Sequence, residues 1–201
     1  MPPGDCLPAS CYDRDVVIVA RELLGMRLVR NLNGERLSGY IIETEAYRGE
    51  EDLACHARAG RTSRTITMYG PAGRAYVYFT YGMHWCMNCV TSADGFPAAV
   101  LIRGVLPVEG LESIARLRAN RPQADWCNGP GKLTQAFSID GALNGYDLSD
   151  GQGQLWIEYG RPVPDGSVIS GPRVGINRVV EPWRSIPWRF LVHRSSWEMG
   201  L

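Results

Sequence analysis

The sequence predicts a single α+β domain built on antiparallel strands with a few short helices. The chain has 201 residues, 45% of them hydrophobic and 21% charged, which suits one buried core and one domain. Short β-like runs bounded by Gly and Pro recur along it, one pair of them joined by the strong hairpin signal Asn33-Gly34. No repeat, heptad or low-complexity tract points to another architecture.

The elements follow in order. Residues 1–14, rich in Pro, Gly and Cys, are expected to form a loose arm before a domain over 15–201. Asp15 is placed to cap VVIVARELLG, where Val16, Val19, Leu23 and Leu24 recur at helical spacing and Gly25 supplies a stop. A strand starting at Arg27–Arg30 turns at Asn33-Gly34 into RLSGYIIETEAY. Residues 48–73 read as a glycine-rich loop, and AYVYFTYG and MHWCMNCVTS as two strands meeting across Gly82. AAVLIRGVLP is a further strand, Leu111–Arg118 a basic helix, and Lys132–Phe137 starts or lies on a short helix. After Asp147 only short runs such as QLWIEY and RFLVHR read as strands.

Charge and cysteine content narrow the function classes. The 21 basic and 21 acidic side chains balance, so any nucleic-acid surface must come from local clustering. The six cysteines stand in a chain without a charged segment leading into an apolar one, so a secretory route and a disulfide framework are not expected. Cys86 and Cys89 form a CxxC with no second copy, inside a strand, which does not suit a zinc site. His56, His84 and His193 lack metal-ligand spacing; no metal, no cofactor and no membrane span are expected.

Two clusters carry chemistry. From Leu53 to Ala93 there is no Asp or Glu, while Arg58, Arg61, Arg64 and Arg74 fall in the same window as Tyr69, Tyr76, Tyr78, Phe79, Tyr81 and Trp85. Aromatic planes beside fixed cations suit nucleobases and phosphates, with stacking contributing about 1–3 kcal/mol per base. The same segment also fits a strand with an aromatic core face. In YIIETEAY, a strand puts Glu43, Glu45 and Tyr47 on one face, a pairing of carboxylates that raises one pKa and suits an acid or base; a solvated strand face is the alternative. Glu50, Glu51 and Asp52 read as a solvated acidic turn. The Gly129–Lys132 turn fails as a P-loop, because Trp126 and Leu133 stand where Gly and Ser or Thr are needed, yet it still offers Lys132 to a phosphate. Together with Arg103, these parts fit hydrolysis of a bond to a nucleobase held out of the stack.

Seven segments carry a resemblance: LLGMRLVR, IIETEAYRGEEDLACHARAGRT, MYGPAGRAYVYFTYGMHWCMN, VLIRGVLPVEG, NGPGKLTQAF, GPRVGI and PWRFLV. In these segments and in their order the chain resembles the alkyladenine (3-methyladenine) DNA glycosylases. The resemblance implies a mixed domain around a curved antiparallel sheet flanked by helices, with no metal or cofactor. It implies a monofunctional enzyme, without lyase activity, that flips alkylated or deaminated purines such as 3-methyladenine, hypoxanthine and etheno-adenine out of double-stranded DNA. Hydrolysis with a Glu-activated water would leave an abasic site. Glu45 matches the general base and Arg103 its polar partner near water and phosphate, with Glu43 supporting. Tyr47, His56 and Tyr78 match residues stacked around the base, Ala54 and His56 the backbone that reads its edge, and Asn88 a residue that excludes guanine. Tyr81 matches the side chain inserted in the vacated stack, with Met83 and His84 beside it; Arg61 and Lys132 are candidate phosphate contacts. On this assignment Tyr76, Phe79 and Trp85 return to the core. Ser63, Thr65 and Met26 depart from the family pattern, on the DNA-facing loop and a helix end. A cytoplasmic, monomeric enzyme of bacterial type working at the nucleoid is the expectation. The rival readings are a non-catalytic nucleic-acid binding module and a hydrolase of free nucleosides.

Overall fold

The computed structural model describes residues 4–119 and 121–193; the rest of the expected domain, residues 194–201, and the first three residues of the expected arm lie outside them. Helix α1 (Val16–Glu22) begins where the sequence places its cap: Asp15 Oδ1 accepts the Val17 and Ile18 amides at 2.9 and 3.4 Å. Its buried Val16, Val19 and Ala20 each remove an apolar side chain from water, an effect of about 1.5–3 kcal/mol for a residue the size of valine. Strands β1 (Arg27–Leu32) and β2 (Glu35–Arg48) form the predicted hairpin, with Asn33 and Gly34 both at positive φ, 54° and 87°. Thr44 Oγ1 donates to the Ala20 carbonyl at 2.7 Å, fastening α1 to the middle of β2.

The rest of the sheet grows from β2. Strands β3 (Ala75–Thr80), β4 (His84–Val90) and β5 (Ala98–Glu109) extend it on one side, and β1 and β6 (Leu155–Glu158) on the other, in the order β3-β4-β5-β2-β1-β6. Among the described residues every strand pairing is antiparallel. At fourteen residues β2 is long enough to fork: Glu35–Tyr40 pairs with β1, while Glu43–Glu45 pairs with β8 (Arg189–Val192), which also carries β7 (Val168–Gly171). The sheet is open and backed by α1, α2 (Leu111–Leu117) and α3 (Pro130–Ala136), an α+β domain as expected.

Two cores result. The larger holds Leu28, Leu37, Ile41, Val100 and Ile102 of the sheet against Val19 and Leu133 of the helices and Phe137 at the end of α3. The smaller, built from Cys55, Ala57, Met68, Tyr69, Tyr76, Val90 and Ala99, packs beneath Tyr47 and Tyr78. It fixes the loop over residues 52–69 to the sheet.

The expectation of a loose arm is corrected for residues 4–14. Leu7 and Tyr12 are buried, the Leu7 amide donates to the Ile157 carbonyl at 2.8 Å, and Cys6 bridges Glu158 beside β6. Its two large apolar side chains, inconspicuous among the prolines, give the arm a reason to pack. Phe79 is likewise not a core residue: it is exposed and packs on half-buried Trp85, with ring centroids 4.9 Å apart.

Candidate active site

Glu45 lies in β2 at the fork, fully buried, with its ladder neighbours Leu101 in β5 and Arg189 in β8. Opposite it the register slips twice. Ile42 has no partner in β5, and between Gly104, which faces Glu43, and Ile102, which faces Thr44, Arg103 has no partner in β2. Such a bulge re-aims a side chain, and here it turns Arg103 onto both carboxylates. Arg103 Nε donates to Glu43 Oε1 at 2.9 Å and lies 3.3 Å from Glu45 Oε1, while Nη1 reaches Glu45 Oε2 at 3.5 Å. A Cβ on Gly104 would stand 3.1 Å from the Glu43 Cβ, so glycine makes room at the bulge. Glu43 also accepts from Arg189 Nε at 2.6 Å.

Glu45 gains two further donors. The Tyr47 hydroxyl donates to Oε2 at 2.8 Å and the Val174 amide to Oε1 at 2.6 Å. The predicted alternation therefore holds, and it excludes a solvated strand face. Burial pushes the Glu45 carboxyl above its ordinary pKa; Arg103, the Val174 amide and the Tyr47 hydroxyl oppose that rise, and Glu43 adds to it. Tyr47 is held protonated by burial and by Glu45, which keeps it a donor.

Tyr47, Arg103 and Val174, three of the groups that touch Glu45, line a cavity of about 280 Å³; Glu45 lies behind them. Ala54, His56, Tyr78 and Asn88 line the same cavity, so every predicted base-contacting residue is brought together. The His56 and Tyr78 rings meet edge to face at 4.5 Å. His56 Nδ1 lies 3.0 Å from the Tyr76 hydroxyl, and burial, then Arg64 and Arg58, depress its pKa to about 4, so the ring is neutral at pH 7. Asn88 is fixed by donating to the Tyr76 carbonyl at 2.9 Å. The Ala54 amide is already given to Asp52 Oδ1 at 3.0 Å, which leaves its carbonyl for a ligand.

The mouth is marked by Tyr81, which sits at φ 52° in the turn between β3 and β4 and is 83% exposed. A tyrosine held in the left-handed region is uncommon and strained. Met83 is exposed beside it. Tyr81 also lines two grooves that run on from the cavity. One, of about 550 Å³, includes His84, Arg118, Arg121 and Lys132; the other, of about 530 Å³, includes Arg58 and Arg178. His84 packs on Gly131, where a Cβ would come within 2.9 Å of its ring. Lys132 Nζ is tied to Asn128 Oδ1 at 2.7 Å and Asp125 Oδ1 at 3.1 Å. Arg61 lies outside the cavity, stacked 4.9 Å over Tyr69, and Arg64 stacks 5.1 Å over Tyr78. Of the departing residues, Thr65 closes this loop from within, donating to the Gly60 carbonyl and accepting the Thr62 amide; Ser63 is exposed, and Met26 packs against the larger core.

Several site residues escaped the sequence reading. Asp52 is not part of a solvated turn: it is fully buried and ion-paired to Arg173. Tyr76 is buried but lines the cavity, and Met68, Cys86, Leu101, Gly175 and Ile176 line it as well. The segment GPRVGI was visible as a motif, but nothing local shows that its Val174 amide meets Glu45. Among the described residues no group of three or more His, Cys, Asp and Glu gathers to hold a metal ion, and no helix is long and apolar enough to cross a membrane.

Comparison with known proteins supplies the context for this geometry. Residues 10–196 match the model of the family described as methylpurine-DNA glycosylase (MPG). A protein of Carboxydothermus hydrogenoformans is 47% identical, over 95% of this chain and 97% of its own length. One from Methanocella arvoryzae is 48% identical over 92% and 90%, and one from Myxococcus xanthus 47% identical over 94% and 91%. All three carry the name "Putative 3-methyladenine DNA glycosylase".

Proposed function

Because the chain belongs to the methylpurine-DNA glycosylase family, we propose that it draws an alkylated or deaminated purine out of duplex DNA into the aromatic cavity and hydrolyses the bond joining that base to its sugar, with Glu45 as the base that accepts the water proton. The observation that carries the reading is the setting of Glu45, a fully buried carboxylate whose partners Arg103, Tyr47 and Val174 form part of the cavity wall. Burying a charge is costly, and this one is kept directly behind the wall of the cavity that would take a flipped base.

Extrusion of a base costs a few kcal/mol. Tyr47, Tyr78 and His56 recover this by stacking, about 1–3 kcal/mol per base, while Tyr81 enters the gap left in the duplex. A water among Arg103, Tyr47 and Val174 attacks the sugar C1′. Its oxygen bonds to that carbon as the C1′–N bond breaks, the electron pair leaves with the base, and the proton passes to Glu45. Arg103 holds the two carboxylates in place and steadies the ionised form of Glu45. Asn88, fixed on Tyr76, stands against the exocyclic amine of guanine. Three substrates fit this scheme: 3-methyladenine, cationic in the nucleotide, leaves as a neutral base, while hypoxanthine and etheno-adenine leave as anions that take a proton from solvent. An abasic site is left.

The reaction is hydrolysis without lyase cleavage. A lysine Schiff base has no candidate in the cavity, because the only lysine of the sequence, Lys132, is tied to Asn128 and Asp125 outside it. The arginines of the two flanking grooves carry the phosphates of the duplex. The enzyme acts as a monomer on chromosomal DNA in the cytoplasm.

The test is base release from duplex oligonucleotides carrying each modified purine, with Glu45→Gln beside the wild type. The variant is expected to bind damaged duplex and to lose release by about 10²- to 10⁴-fold. Undiminished single-turnover release refutes the role of Glu45. Binding without release by the wild type on every duplex would identify a binding module, and release from free nucleosides alone a nucleoside hydrolase.

A further inference from the structure

Beyond Glu45 and Arg103, the most heavily bonded polar group among the described residues is the pair Asp52–Arg173, both side chains fully buried. The arginine fork donates to Asp52 at 2.5 and 2.8 Å, to the Ala46 carbonyl at 2.9 Å and to the Trp183 carbonyl at 3.1 Å. Its guanidinium carbon lies 4.8 Å from the Tyr47 ring centroid and 5.3 Å from that of Trp188. Asp52 also accepts the Arg48 and Ala54 amides. Such a pair is a poor device for stability alone, since apolar residues of similar volume serve as well or better, and here Arg173 Nε is left without a partner.

What the pair ties together is the site. Arg173 precedes the residue whose amide meets Glu45, covers the ring whose hydroxyl meets Glu45, and holds the aspartate that fixes Ala54 at the cavity wall. We propose that Asp52 and Arg173 are positioning residues, which hold the Val174 amide and the Tyr47 hydroxyl on the Glu45 carboxylate and so set the strength and aim of the base. This rests on Glu45 being the base.

The groups facing Glu45 make the idea testable through pH. They are Glu43 and Tyr47 of β2, Arg103 of β5, with Arg189 of β8 on Glu43, and the Asp52–Arg173 pair behind Tyr47. Arg173→Lys keeps the charge beside Asp52 and removes the planar fork, so it leaves the charge around Glu45 unaltered while releasing Val174 and Tyr47. The assay is single-turnover release of methylated purines from duplex DNA treated with dimethyl sulfate, across pH, with melting temperature and duplex binding recorded for each variant. Arg173→Lys is expected to slow release roughly ten- to a hundred-fold, as loss of alignment does, and to move the acid limb up by about half to one pH unit, because lost donors favour the protonated carboxyl. In a Glu45→Gln background it should cost nothing further. Asp52→Asn, taken through the same double-variant comparison, should also lose its effect there.

Equal losses in the wild-type and Glu45→Gln backgrounds, with the acid limb unmoved, overturn the proposal and leave the pair a structural staple. So does failure of both variants to fold. Undiminished release by Glu45→Gln alone overturns the base assignment, and the positioning role with it; a normal Glu45→Gln loss beside an unaffected Arg173→Lys overturns only the positioning role.

Discussion

Replacing Tyr47 by Phe separates the two duties given to that residue, because the ring stays against the cavity and only the hydroxyl bond to Glu45 Oε2, 2.8 Å long, is lost. A hydrogen bond to a charged group contributes about 1.5–3 kcal/mol, and one pKa unit corresponds to about 1.4 kcal/mol. The full bond is therefore equivalent to about one to two units, and since Arg103 and the Val174 amide remain on the carboxylate, about one unit is expected. The sign follows from the donor: the hydroxyl favours the ionised form, so its removal raises the pKa of a carboxyl that burial has already raised. In single-turnover release measured across pH, the acid limb of Tyr47→Phe should lie about one unit above the wild type, with duplex binding little changed. Stability provides a second readout. A folded-state pKa above the unfolded one gives stability that is complete below the unfolded value and is lost as pH rises through the folded value. The melting-temperature gap between Tyr47→Phe and wild type should thus be present at neutral pH and close under acid conditions. An unmoved limb with an unchanged gap would refute the assignment of that hydrogen bond to the working carboxylate.

Tyr81→Gly removes the proposed wedge at a backbone position that glycine adopts without strain, so it should melt within a few degrees of the wild type while a fluorescent base analogue reports less flipping, binding falling about ten-fold. The depressed His56 pKa, about 4 against an ordinary 6.5, contributes stability present above the unfolded value and lost as pH falls towards the folded one. That difference is worth up to about 3 kcal/mol, and chemical denaturation of His56→Gln should show a correspondingly flatter loss between pH 6.5 and 4. Asp52→Ala strands a buried guanidinium and should lower the unfolding free energy by about 3–5 kcal/mol, measurable by urea denaturation. Affinity for damaged duplex should fall steeply with salt as phosphate contacts release counterions; a flat response would contradict a duplex seated along the two arginine-bearing grooves.

What local chemistry decides was legible in the sequence. The Asp15 cap, the Asn33-Gly34 turn and the common face of Glu43, Glu45 and Tyr47 each depend on residues within a few positions, and each stands as the pattern implies. The resemblance gathered the cavity residues from distant segments, which no periodicity does. The misjudged features depend on partners far along the chain. Asp52 looks like its exposed neighbours Glu50 and Glu51 until Arg173, 121 residues on, is brought to it. The bulge that aims Arg103 comes from mismatched register between two strands, and its one local mark is Gly104. Tyr12 and Leu7 are two apolar residues among prolines, too few for a pattern yet enough to pin the arm.

The forked strand has a consequence for synthesis. Glu43 and Glu45 emerge early, but the groups that neutralise and aim them come later: Arg103, then Val174 and Arg189, the last of these 146 residues after Glu43. A nascent chain that has folded its first hairpin still holds two carboxylates side by side with no cation from β5 or β8 to accept them. Long-range pairings of this kind form slowly, and those that complete the surroundings of Glu45 await residues 173–189. A chain made only as far as β5 would hold the aromatic pair β3–β4 and Arg103, but not yet the Val174 amide and Arg189 that complete the bonding of Glu45 and Glu43.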